Sequence, residues 1–109
     1  MRQLKQHIPI LEYIRQLSSK DQKSFISTAS KGLLHCLSGI CLNIVKRNIP
    51  LSPLEIRKLR KYEKEIKTLA ERRHSLSKRK KILASGGFMS TLLTLLPTLV
   101  SAVIGAATR

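Results

Sequence analysis

The chain has no tryptophan, two phenylalanines and two tyrosines in 109 residues. So few rings exclude stacking on aromatic platforms, the usual way of holding single-stranded nucleic acid, as its main mode of binding. Five glycines and four prolines, without alternating β-branched runs, leave little turn chemistry for a sheet and point to an all-α fold. Acidic residues are also scarce: six Asp and Glu stand against 21 Lys and Arg, a formal charge of +15. Those carboxylates lie mostly beside bases and make no separated acid–base pair. The three histidines form no recognisable triad, and no phosphate loop with its lysine is present. An enzyme is not expected. The two cysteines, Cys36 and Cys41, lie about 140° apart around a helix, too divergent for an easy bridge. His35 beside them adds no second ligand pair, so two buried thiols in a reducing compartment are expected, with no metal and no cofactor.

What is there is helical periodicity. Ile8, Ile10, Leu11, Ile14 and Leu17 repeat at helical spacing, with Pro9 suited to a first turn. A short, thinly apolar helix follows over about Lys20–Ala29, capped by Ser18 or Ser19. From Lys31 to Arg47 a wide stripe (Leu33, Leu34, Leu37, Ile40, Cys41, Ile44, Val45) marks the most buried helix. Ser52-Pro53-Leu54-Glu55 then combines an N-cap, a proline at the first helical position and a capping box. A long helix is expected from there to about Ser75 or Ala84, with Leu59, Tyr62, Ile66, Leu69, Leu76 and Leu83 along one seam. The expectation is a small helical bundle of about four helices. It divides into a basic domain over residues 1–84 and, over 85–109, a glycine hinge with an uncharged, hydrophobic C-terminal helix.

Charge is unevenly placed. Residues 1–45 hold six bases and two acids, and residues 46–81 hold fourteen and four. The second block comprises Lys46, Arg47, Arg57, Lys58, Arg60, Lys61, Lys64, Lys67, Arg72, Arg73, Lys78, Arg79, Lys80 and Lys81. Such a single-sign block attracts polyanions, through counterion release and without reading bases. Non-specific binding and packaging of double-stranded DNA is the mode it implies. Lys78-Arg79-Lys80-Lys81 also has the form of a short nuclear localisation signal, which adds the host nucleus to the expected locations.

No charge occurs from Ile82 to Thr108, long enough to cross a hydrocarbon core of ~30 Å. Phe88, Leu92, Leu93, Leu95, Leu96, Leu99, Val100, Val103 and Ile104 would meet lipid. Thr91, Thr94, Thr98, Ser101, Gly105 and Thr108 form a small, weakly polar stripe, and Pro97 would kink or loosen the helix. Three readings compete: a spanning tail anchor whose basic flank senses anionic lipid, an interfacial or pore-forming helix, and a core helix of a helical interaction module. The Gly86-Gly87 hinge beside the basic block favours a membrane-active tail over the core.

The stretch from Leu33 to the C-terminus, with its LHCLS segment, NIPLSP turn and basic run ending in GGF, resembles the small basic proteins of polintons and adintoviruses. Lys78–Lys81, Gly86-Gly87, Phe88 and Leu92–Ala107 also resemble, in the same order, the precursor of adenovirus core protein X. That resemblance implies a virion protein that compacts viral DNA and carries a segment acting on membranes. Capsid proteins or further copies of the chain are its implied partners. The adenoviral basic part is Arg-rich and disordered, whereas this one is Lys-rich and reads as an ordered helix. Ala84 stands where the family's maturation protease favours Met, Ile or Leu, which argues against cutting after Gly87.

Overall fold

The computed structural model describes residues 2–71, 73–84 and 87–101, with side chains from Lys5 onward. Its helices are α1 (Arg2–Arg15), α2 (Ser19–Ser27), α3 (Lys31–Val45), α4 (Pro53–Arg60), α5 (Glu63–Ala70), α6 (Leu76–Leu83) and α7 (Phe88–Leu93). A further helical stretch covers residues 96–101. The all-α expectation holds, and no strand occurs among the described residues. The helices are more numerous and shorter than the four expected.

Serine chemistry sets most of the starts. Ser18, Ser30, Ser52 and Ser75 each sit in extended backbone and accept the N–H three residues on, satisfying a donor the helix cannot. At α4 the capping box is complete. Ser52 Oγ accepts the Glu55 N–H at 3.2 Å, and Glu55 Oε1 accepts the Ser52 N–H at 2.9 Å. Helix α3 ends in paired bonds, Asn48 N–H to Asn43 O and Arg47 N–H to Ile44 O. This places Arg47 at φ 59, a left-handed position that glycine usually fills. Pro9 falls inside α1 rather than in its first turn, because the helix begins at Arg2. Leu11 and Ile14, both fully buried, hold α1 on the core despite the missing backbone donor.

The long helix expected from Ser52 is instead three. It breaks first at Tyr62, whose backbone leaves the helical region (φ −114, ψ 23) without any side-chain cap. Tyr62 meets Phe88 edge-on there, ring centroids 5.3 Å apart and planes at 78°. Glu63 and Glu65 follow in the first turn of α5, where carboxylates favour the positive end of a helix dipole. The second break lies at Glu71, in extended backbone (ψ 106), and Ser75 caps the restart at α6.

The tail departs furthest from expectation. Phe88, Leu92, Leu93, Leu95, Leu96 and Leu99 are each 1–3% exposed and belong to the same core as Leu11, Leu34, Leu37 and Leu69. Residues 88–101 therefore complete the bundle, which joins the two expected domains into one core with α7 against α1, α4 and α6. Burying side chains of this size stabilises by about 1.5–3 kcal/mol each. Of the expected polar stripe, Thr94 and Ser101 stay exposed, while Thr98 and the neighbouring Ser90 are used inward. Ser90 donates to Gln22 Oε1 at 2.9 Å, and the buried Gln22 donates to Ile14 O at 3.1 Å. Thr98 donates to Glu55 Oε2 at 2.9 Å. Pro97 lacks the N–H that would bond to Leu93, and α7 ends at Leu93. Gly87, at φ 79, turns the chain into α7; a Cβ there would lie 3.2 Å from the Tyr62 hydroxyl. It is a tight joint against the body. Val103, Ile104 and Gly86 lie outside the described residues. The Cα radius of gyration is 12.9 Å, close to the ~13 Å of a folded chain this long.

Candidate nucleic-acid interface

The cations that face solvent come chiefly from the short helices between α3 and the tail. Lys46 and Arg47 project at the C-terminal end of α3. Arg57, Lys58 and Arg60 project from α4, and Lys61 follows at the break. Lys64 and Lys67 lie on α5, with Lys78 and Lys81 on α6. All of these are exposed. Each helix is anchored by a narrow apolar edge, Leu59 on α4, Ile66 and Leu69 on α5, Leu83 on α6, so the other faces are left to the charges. Breaking one long rod into three wraps the block over the body instead of extending it.

Neutralisation within the block is slight. Lys67 pairs with Glu63 at 2.9 Å, and the exposed Arg73 pairs with Glu71 at 2.9 Å. These partners hold the Glu63 and Glu71 carboxyls below the usual range, chiefly through the Lys67 and Arg73 hydrogen bonds. Exposed pairs like these contribute little to stability. Glu55 is also held low, first by the Ser52 N–H and then, against some desolvation, by Thr98, the Ser52 side chain and Lys58. It is committed to the cap.

Three residues of the expected set stand apart. Arg79 is 2% exposed, so its guanidinium lies in the body and not on a binding face. Lys80 is half-buried and donates to Ser27 O of α2 at 3.1 Å. Arg72 lies outside the described residues. The membrane-contact residues Phe88, Leu92, Leu93, Leu95, Leu96 and Leu99 are core, and Val100 is half-buried against it. Conversely, Lys23 of α2 was not marked by the sequence. The packing of α2 on α6 brings it to one cleft with Lys78, Lys80 and Lys81, a long-range neighbourhood for which the sequence carries no signal.

Among the described residues, no group of three or more His, Cys, Asp or Glu could hold a metal ion. Cys36 and Cys41 are both free and buried, and burial pushes their thiols up to about 11 and about 12. Among the same residues, no single helix is long and apolar enough to cross a membrane; α2 and α3 qualify by composition only as a pair, bent by 118°. Comparison of the chain with protein-family models, with curated proteins and with solved structures finds no match.

Proposed function

We propose that the protein is a non-enzymatic DNA-binding protein that neutralises and packs duplex without sequence preference. The carrying observation is the exposed cationic block on α4, α5 and α6, set on a chain in which 21 bases face six acids. Phosphates are bound by such a surface through charge and counterion release, and nothing in that mode requires aromatic or base-edge contacts. The resemblance of Leu33 onward to polinton and adintovirus basic proteins supports placing this activity in a virion core. The test is a mobility shift on random-sequence duplex with an unrelated duplex as competitor. Equal competition supports the proposal, and failure of the unrelated duplex to compete rejects it.

Membrane association belongs to a second form. Six of the nine side chains that would enter lipid, Phe88, Leu92, Leu93, Leu95, Leu96 and Leu99, fill the core, so residues 88–101 must first leave the body. The folded chain should leave anionic vesicles intact, whereas a peptide of residues 88–109 should release their contents. Leakage by the folded chain would contradict this division, and an inert peptide would remove the membrane role.

A further inference from the structure

Helices α2 and α6 lie side by side and flank a shallow, open cleft of about 570 Å³. Its walls carry four lysines, Lys23 from α2 and Lys78, Lys80 and Lys81 from α6, and among the described residues no carboxylate. More than fifty residues of sequence separate the two sources, so only the fold brings these charges together. Lys80 is fixed by its bond to Ser27 O and keeps two further N–H donors. Ser75 and Ser77 also line the cleft. Ser75 Oγ accepts the Lys78 N–H and retains its own O–H to donate. Four lysines lining one opening gather like charge there, and an anion seated among them relieves their repulsion. Among the described residues no aromatic side chain lines the cleft, so the ligand would be held by its phosphates and not by a base.

We propose that the α2–α6 cleft is a phosphate-binding site that seats a short run of linked phosphate groups. It rests on the DNA-binding reading only where the phosphates are those of a duplex backbone; a free inorganic polyphosphate offers the same chemistry.

The full chain is compared with a cleft variant, Lys23→Gln with Lys78→Gln, and a matched control, Lys5→Gln with Lys31→Gln. All four lysines are exposed, and each double substitution removes the same charge. Inorganic tripolyphosphate binding is measured by calorimetry, and binding of a random duplex by fluorescence anisotropy. The cleft variant should bind tripolyphosphate about tenfold or more weakly, as expected when charge-assisted hydrogen bonds are removed. The control should change by about twofold or less, the effect of distant surface charge. Ser77→Glu should reproduce the loss. A glutamate in the first turn of α6 suits the helix dipole, so misfolding would not explain it.

An equal specific loss for duplex identifies the backbone as the ligand. A loss confined to tripolyphosphate identifies free polyphosphate and keeps the site. If the wild-type chain binds tripolyphosphate in the cleft but no duplex, the DNA-binding reading fails and the site stands. Equal effects of cleft and control variants, or no tripolyphosphate binding by the wild type, would overturn the site and leave duplex binding to be judged on its own.

Discussion

The hydroxyl of Thr98 donates to Glu55 Oε2 at 2.9 Å, while the other oxygen of Glu55 accepts the Ser52 N–H at 2.9 Å. One carboxylate thus caps α4 and latches the C-terminal segment to it. Replacing Glu55 with alanine should cost about 1–2 kcal/mol, the range for a lost cap with a lost hydrogen bond. Thr98→Val should cost about 1 kcal/mol or less. Urea unfolding monitored by circular dichroism checks both.

The same carboxylate gives a pH dependence. Its folded-state pKa lies below the ordinary 4.5. Its contribution is therefore present above pH 4.5 and is lost as pH falls through the lower folded value. The stability difference between wild type and Glu55→Gln should shrink as pH drops below 4.5. A difference that grows on acidification would show that Glu55 is not stabilised as a carboxylate.

Because Phe88, Met89, Leu92, Leu93, Leu95, Leu96 and Leu99 are core, their loss should be structural. Phe88→Ala should destabilise by about 3–5 kcal/mol and Leu95→Ala by about 2–5 kcal/mol. These are large fractions of the ~5–15 kcal/mol that holds a domain together. Deleting residues 88–109 should abolish cooperative thermal unfolding. A truncated chain that still melts cooperatively with unchanged helicity would return the tail to the status of an appendage.

Local signals carried in the sequence proved sufficient where they were self-contained. Ser52 and Glu55 announce α4 because both partners of the box lie within four residues. The stripe from Leu33 to Val45 announces α3 because its period is its own. The break at Tyr62 was not legible. Nothing near it caps a helix, and the turn is made by contact with Phe88, 26 residues on. The tail misled for a related reason. An uncharged segment is equally suited to lipid and to a core, and its Ser90 and Thr98 hydroxyls show their use only beside Gln22 and Glu55. Arg79 reads as one more cation in a run until α6 is seen to turn it inward.

Arg47 keeps a left-handed backbone at φ 59, which costs a non-glycine residue about 1–2 kcal/mol. Arg47→Gly should therefore raise stability by up to about 1 kcal/mol while weakening duplex binding through the lost cation. Thermal melting and anisotropy on the same variant separate the two effects. If both stability and affinity fall, the strain is not there to be relieved.

Cys36 and Cys41 should resist thiol reagents in the folded state at neutral pH, since burial raises both thiols far above it. Modification should follow unfolding, with both thiols reacting together as urea is raised. Rapid labelling of either thiol without denaturant would contradict the packing around α3.

Non-specific neutralisation of duplex is tested most directly by the affinity of the full chain for random-sequence DNA as salt is raised. If the exposed block engages about six phosphates or more, log K should fall linearly against log salt with a slope of about −5 or steeper. Duplexes of unrelated sequence should lie on the same line. A flat salt dependence, or steep binding confined to one sequence, would contradict the account.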